Sequence, residues 1–492
     1  MPTYHVENFG CRATQADGAA LERQFESCGL DRASAANADL VVLNTCTVTH
    51  SADQDARAAI RRVQRQNPQA RIIVTGCYAQ RAPEEIAALP GVSWVIGNSH
   101  KHQLAELVLN DVVPERENFI PLGNLAWNSE RPTTGGQRPL YVSDIFAHTE
   151  LLAAPVFESG FHASERTRPN LKVQDGCDNR CSFCVIPSVR GHSRSLPLDQ
   201  VIGEVNTLVA AGYRELVISG INLGRWGRDL DIGLRASGLG ENASSQEAAC
   251  TAKGRSPKAE ARSLACLIRA ILDRTPLEKL RISSVEPKDW TDDLIDLVAC
   301  SARVAKHAHV PLQSGSDAVL RRMHRKYRPW HYREKIERIR AAMPTAAIGA
   351  DVMVGFPGET DAEFECTRRL VEDLPFTYLH VFTYSARPGT PAAAMPNQVP
   401  VHVARERNKI LRGLAAEKKA AFMRLFVGKR LEAITLNISH NDHRGEFTEA
   451  LTDNYQKLYL RGRHAANRWM PVRIERVVDA AFLGSLGRMS DI

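Results

Sequence analysis

Along the first 120 residues, short apolar runs alternate with amphipathic stretches. HVENFG, DLVVLNT and RIIVTG have the length and composition of strands, and each leads into a helix-like stretch such as ADQDARAAIRRVQRQNP. A further strand, SWVIG, and a helix from about His100 to Asn110 complete the series. Strands alternating with helices lie parallel, so residues 1–121 are expected to form a Rossmann-like α/β domain. Each of the first three strands runs into a cysteine: Cys11, Cys46 and Cys77. The C-terminal ends of parallel strands share one crevice, so these cysteines, more than thirty residues apart in sequence, should converge. One cysteine after a strand is usually a small buried hydrophobe. Three in the same topological place predict a three-cysteine cluster site.

The rhythm lapses over residues 122–168, where NSERPTTGGQRP and weak periodicity read as a linker. It resumes over 169–400. LKVQDG, ELVISGIN, KLRISSV, AHVPLQ, AIGADVMVGF and YLHVFTYS read as strands, with helices such as LDQVIGEVNTLVAAG and WHYREKIERIRAAM between them. Six such units are too few for a closed eight-stranded barrel and predict a partial (β/α)6 barrel, its site at the C-terminal strand ends. Residues 229–262, rich in Ala, Ser and Gly, read as a disordered or peripheral insertion. A connecting helix is expected over 401–424. The β-like stretches RLEAITLNIS, EFTEALTD, QKLYLRG and MPVRIERVVDAAFLG within 425–486 then predict a small β-barrel.

Composition adds three constraints. No apolar run in the 492 residues approaches the ~18–20 residues of a membrane span, and the chain enters its first strand without an apolar leader, so a cytoplasmic, membrane-free protein is expected. Eleven cysteines in a chain this long suit a reducing compartment better than a disulfide framework. From Val401 to Ile492 there are 17 Lys+Arg against 10 Asp+Glu, which accounts for the whole net charge of +7. A basic excess confined to a small barrel suits a polyanion such as RNA.

The sharpest local signal is DGCDNRCSFCVIPSVRG. Cys177, Cys181 and Cys184 supply three thiolates on one tight loop after the first strand of the second domain and leave a fourth ligand position vacant. A structural zinc or a closed electron-transfer cluster takes four protein ligands. Three suit a cubane cluster with one iron open to an exogenous ligand, or a zinc knuckle completed by a distant His or Cys. At the strand ends of this domain Gly220, Asn222, Ser283, Glu286 and Gln313 are candidate ligands for a cofactor or substrate.

The C-x3-C-x2-C loop resembles that of the radical S-adenosylmethionine enzymes. Together with NFGCRATQAD, LNTCTVTHSAD, VTGCYAQ, SGINLG, SSVEP, HVPLQSGSDAVLRRMHRKY and GADVMVGFPGET in this order, it resembles the tRNA and ribosomal-protein methylthiotransferases. The resemblance implies a 4Fe–4S cluster on Cys177, Cys181 and Cys184 that binds S-adenosylmethionine, and an auxiliary 4Fe–4S cluster on Cys11, Cys46 and Cys77. It also implies a C-terminal TRAM barrel that binds tRNA. NTCTVTHSAD resembles the branch that methylthiolates carbon 2 of N6-threonylcarbamoyladenosine in tRNA; the rivals within the family act on isopentenyladenosine or on a ribosomal-protein aspartate. Thr14 stands where the family often has Asn. Such an enzyme is expected to work as a monomer with a low-potential donor such as flavodoxin or ferredoxin. The alternative from another class is a non-catalytic iron–sulfur RNA-binding protein.

Overall fold

The computed structural model describes residues 2–112, 139–148, 167–230, 262–442 and 445–487. Most of the expected linker, and nearly all of the expected insertion at 229–262, lie outside the described residues. The chain divides into two compact units. The first comprises Met1–Val156, Gly176–Asn179 and Cys184–His192; the second comprises Phe157–Asp175, Arg180–Phe183 and Ser193–Ile492.

The first unit is built on a parallel sheet. Its strands are β1 (Thr3–Asn8), β2 (Asp31–Arg32), β3 (Leu40–Thr45), β4 (Arg71–Gly76), β5 (Val92–Gly97) and β6 (Leu140–Tyr141), in the order β2-β1-β3-β4-β5-β6. The helices α1 (Arg12–Ser27), α2 (His50–Gln66) and α3 (Cys77–Arg81) follow β1, β3 and β4. β3 is buried along its whole length, and its residues alternate between two cores. Val41 and Leu43 pack with Ala56, Ile60 and Tyr78; Leu40 and Val42 pack with Tyr4, Leu21 and Phe25. α2 starts where the Thr49 hydroxyl accepts from the Ala52 amide, and it buries Ala56, Ala59, Ile60 and Val63, one stripe at helical spacing. Within the expected linker, Leu140–Tyr141 instead adds β6 to the sheet beside β5 and Ile145 is buried, two short contacts too brief to register as periodicity.

In the second unit, β7 (Asn170–Asp175), β8 (Arg194–Ser195), β9 (Glu215–Gly220) and β10 (Lys279–Ile282) form a sheet in the order β10-β9-β7-β8. β11 (His307–His309), β12 (Ala347–Val354) and β13 (Tyr378–Thr383) form another, and parallel bridges Leu280–Val304 and Ser284–His309 join the two. Six strands thus run parallel, with β8 antiparallel at the edge, giving a partial barrel.

The helix Val401–Arg424 leads to β14 (Arg430–Asp442), β15 (Gly445–Thr452), β16 (Lys457–Arg461), β17 (Trp469–Val478) and β18 (Ala481–Leu486), which close into a small barrel in the order β14-β15-β16-β18-β17. This barrel docks on the N-terminal ends of the partial-barrel strands. Arg281 on β10, fully buried, bonds Glu215 at 2.7 Å and the Asp453 carbonyl at 3.1 Å, and lies over the Tyr455 ring. Lys279 pairs with Glu432, Asn467 bonds the Gly212 carbonyl at 2.7 Å, and Ala347 at the start of β12 joins the barrel's own core. Among the described residues no helix is long and apolar enough to cross a membrane.

Candidate functional site

Cys46 and Cys77 stand directly beyond β3 and β4, and Cys11 follows β1 after Phe9 and Gly10; the three are adjacent strands of the first sheet. Cys11 is the residue before α1, Cys46 follows β3 directly, and Cys77 opens α3. The chain turns sharply to present them. Gly10 has φ +102°, and a Cβ there would meet Cys46 Cβ at 2.5 Å; Gly76 has φ +99° and would meet the Thr45 carbonyl at 2.3 Å. Only glycine fits both places. Thr47 donates to Asp53 at 2.6 Å, and Arg81 pairs with Asp53 at 3.0 Å, which fixes the segment after Cys46. The Thr14 hydroxyl lies 3.5 Å from Cys11 Sγ, so Thr14 faces the cysteine group.

The electrostatics place the three thiols in one group. Burial pushes Cys46 up to about 12, and the Cys77 and Cys11 thiols next to it add to the rise. Cys46 and Cys77 are buried and Cys11 is exposed; a bound metal supplies the positive charge that stabilises a buried thiolate such as that of Cys46. Among the described residues no three His, Cys, Asp or Glu side chains meet closely enough to hold a single ion. A cubane takes each thiolate on a different iron, so three cysteines at the ends of three neighbouring strands suit it.

A buried ion cluster stands behind this trio. Asp17 on α1 accepts from Arg190 at 2.9 Å and from Lys101 at 3.2 Å, and all three side chains are almost inaccessible. Lys101 also bonds Asn44 at 3.1 Å, two residues before Cys46. Arg190 is buried here and its charge favours the Cys46 thiolate. It ends the short helix Ile186–Arg190 that follows Cys184. The same helix packs Val189, with the preceding Val185, on Cys77, and Asn98 bridges the two, donating to the Val189 carbonyl at 2.7 Å and to Cys77 Sγ at 3.6 Å.

Cys177 and Cys184 belong to the first unit, and Cys181 to the second. In the first, the Cys177 amide donates to the Gly191 carbonyl at 3.1 Å, and Gly176, at φ +70°, brings its backbone so close to His192 that a Cβ would meet that carbonyl at 1.9 Å. In the second, Ser182 is held by the Met323 and Arg322 carbonyls, and Arg325 reaches Cys181 Sγ at 3.3 Å. Glu286 pairs with Arg325, and Tyr327 accepts from it at 3.2 Å while donating to the Leu312 carbonyl at 2.7 Å.

Of the other candidates, Gly220 comes so close to Gln174 that a Cβ would meet that side chain at 2.9 Å, and the Asn222 amide bonds Gln174 Oε1 at 2.7 Å. The Ser283 hydroxyl is buried at the end of β10 with no hydrogen-bond partner among the described residues, and so is that of Ser219 on neighbouring β9. Gln313 takes a left-handed φ of 63°, held by bonds to the Asp351 carbonyl and from the Met353 amide, both 2.8 Å. Strain of this kind clusters at ligand sites. Glu286 acts through Arg325. Asp17 and Arg325 escape notice in the sequence because their partners Arg190 and Cys181 are remote, and Tyr327 and Ser219 because each sits in an ordinary local context.

The Uncharacterized protein family UPF0004 matches residues 3–97, and the Radical SAM superfamily matches residues 171–371. The chain is 34% identical over 463 residues to the threonylcarbamoyladenosine tRNA methylthiotransferase MtaB of Bacillus subtilis (strain 168), covering 94% of this chain and 91% of that protein. It is also 34% identical to the tRNA-2-methylthio-N(6)-dimethylallyladenosine synthase of Novosphingobium aromaticivorans, covering 88% and 86%. Among solved structures, the radical S-adenosylmethionine methyltransferase TsrM from Kitasatospora setae matches with a TM-score of 0.51 at 16% identity, over 80% of this chain and 74% of that one, a likeness of fold alone.

Proposed function

The chain belongs to the radical S-adenosylmethionine methylthiotransferases, and from that premise we propose that it adds a methylthio group to carbon 2 of N6-threonylcarbamoyladenosine beside the anticodon of tRNA. Its cofactors are S-adenosylmethionine and two 4Fe–4S clusters. One observation carries the reading: Cys77, the last of the strand-end trio, packs against Val185 and Val189, one and five residues after Cys184, the last of the loop trio. Transfer of sulfur and formation of a radical need both centres within reach of one substrate atom.

We assign Cys177, Cys181 and Cys184 to the cluster that binds S-adenosylmethionine, and Cys11, Cys46 and Cys77 to the cluster that carries sulfur. When bound, the first cluster supplies the electron that splits S-adenosylmethionine into methionine and a carbon radical, the reagent an unactivated C–H bond requires. The protein's own residues prepare this chemistry. Arg325 braces Cys181 through its sulfur, and Glu286 fixes Arg325. Gly220, Asn222, Ser283 and Gln313 supply close backbone and polar groups at strand ends for S-adenosylmethionine or the nucleoside. Asp17, through Arg190, holds the helix after Cys184 against the strand-end trio. The protein is further proposed to act in the cytoplasm as a monomer, reduced by a low-potential donor such as flavodoxin or ferredoxin.

The test is anaerobic reconstitution followed by incubation with S-adenosylmethionine, a reductant and tRNA carrying either N6-threonylcarbamoyladenosine or isopentenyladenosine. Mass analysis of nucleosides should show the methylthio product on the first tRNA and none on the second. Product on the isopentenyl tRNA alone would reassign the substrate. Deoxyadenosine formation with neither tRNA modified would set the tRNA reading aside.

A further inference from the structure

The loops that follow β9 and β10 gather an excess of positive charge. Asp289, buried in the single-turn helix Pro287–Asp289 after β10, is shared by Arg225 at 3.3 Å and Arg228 at 3.4 Å, both from the segment after β9. Gly224 permits this approach, since a Cβ there would meet the Asp289 side chain at 2.4 Å. Lys288, half-buried beside this group, makes no hydrogen bond or ion pair among the described residues. Arg225, Asp289, Lys326 and Glu286 are charges around it, and burial together with Arg225 pushes its ammonium below the ordinary lysine range. Glu286 is already paired with Arg325. The cations of this group therefore outnumber its carboxylates. A half-buried ammonium without a counter-ion is unfavourable, and an anionic ligand relieves it.

The place of this group narrows the choice of anion. Lys288 is two residues from Glu286, which fixes the Arg325 that reaches Cys181. It stands at the C-terminal ends of the partial-barrel strands, the pole where the reacting nucleoside meets the radical. Carbon 2 and N6 belong to one adenine ring. Once carbon 2 is in place, the carboxylate that ends the threonylcarbamoyl group lies only a ring and a short chain away. An isopentenyl group has no such charge. An ammonium beside a guanidinium is a donor set that takes a carboxylate.

We propose that Lys288, with Arg225 beside it, binds the carboxylate of the threonylcarbamoyl group and so sets the choice of N6-threonylcarbamoyladenosine over isopentenyladenosine. The inference rests on the tRNA reading above and names the side chains that read its substrate. Asp289 is a positioning residue, since it orients Arg225 and leaves Lys288 to the ligand. The carboxylate of S-adenosylmethionine and a phosphate of the RNA share part of this chemistry, and the test separates the three.

The test gives the full-length, cluster-loaded protein two tRNAs, one carrying N6-threonylcarbamoyladenosine as the free acid and one carrying its methyl ester, which keeps the shape and removes the charge. The wild type should methylthiolate the acid with a kcat/KM about tenfold or more above that of the ester. Lys288→Met should lower kcat/KM on the acid by roughly ten- to a hundredfold, the scale of one charged hydrogen bond, and leave the ester nearly unchanged. Lys288→Arg should recover part of the preference. The KM for S-adenosylmethionine in deoxyadenosine formation without RNA should not move, which also shows that the variants fold. A raised KM there would assign the ammonium to S-adenosylmethionine, and equal losses on acid and ester would assign it to an RNA phosphate. Either result overturns the proposal, as does no loss on the acid or a wild type that treats acid and ester alike. Failure of the wild type on both tRNAs while deoxyadenosine still forms would instead defeat the substrate reading itself, and this inference with it.

Discussion

The two cysteine trios are assembled by opposite means. Cys177, Cys181 and Cys184 lie within eight residues, so covalent connectivity brings them together and the fold has only to brace the loop, through Gly191 at one end and Met323, Arg322 and Arg325 further along. Cys11, Cys46 and Cys77 share no loop. Their spacing is that of three neighbouring strands, and it exists only while β1, β3 and β4 are paired. A local site is thus sensitive to its ligands, whereas a sheet-borne site is sensitive to everything that holds the sheet end in place, including the buried charges behind it.

The largest expected effect is at the loop. Changing Cys177, Cys181 and Cys184 together to Ala should abolish deoxyadenosine formation and lower bound iron from about eight atoms to about four. Unchanged iron would show that the loop is not a cluster site. The corresponding change of Cys11, Cys46 and Cys77 should also lose about half the iron. It should keep deoxyadenosine formation while removing all methylthio product, and full product would make these cysteines structural.

Asp17→Asn probes the sheet-borne site without touching a ligand. It leaves Arg190 and Lys101 buried without their carboxylate, and the apo protein should lose about 3–5 kcal/mol in denaturant unfolding. Arg190→Met keeps the Asp17–Lys101 pair, so it should cost less stability and still shift the auxiliary cluster to a lower reduction potential, measured by spectroscopic titration. An unshifted potential would confine Asp17 and Arg190 to packing. Gly10→Ala should act more weakly, at about 1–3 kcal/mol of backbone strain, with a partial loss of iron confined to the auxiliary site.

The smallest effect is in pH. Because the folded protein raises Cys46 from its ordinary 9.0 to about 12, the apo protein binds that proton more tightly folded than unfolded. The resulting stability is complete below pH 9.0 and drains away toward pH 12. The melting temperature of apo protein should fall across this window more than that of Cys46→Ala. Equal slopes would place the burial of Cys46 in doubt.

This contrast also decides what the sequence discloses. The placement of Cys11, Cys46 and Cys77 beyond three neighbouring strands, and of Cys177, Cys181 and Cys184 on one loop, is legible, because a strand pattern ending in cysteine and a three-cysteine loop are local signals. The six parallel strands and the closing barrel are legible for the same reason, as periodicity with turn residues between. The supports are not. Asp17 and Arg190 are 173 positions apart, and Cys181 and Arg325 are 144 apart; nothing in either neighbourhood marks the partner. Burial makes Arg190 part of the site's electrostatics. The docking of the C-terminal barrel is hidden likewise, since Arg281 and Glu215 sit in strands whose apolar rhythm gives no notice of a buried ion pair capped by Tyr455.

That docking has a consequence for how the protein is made. Translation delivers the chain from its N-terminus at about 5–20 residues per second, so the strands from β7 to β13 leave the ribosome before Tyr455 and Asp453 exist. Until those residues arrive, Arg281 and Glu215 face water at an unfinished pole, and Ala347 lacks the apolar neighbours that enclose it. The last-synthesised barrel therefore acts as a completion step for the middle of the chain. A nascent chain stalled before β15 should stay open to protease near β10 and β12, while the N-terminal sheet, whose strands are all made earlier, is already resistant.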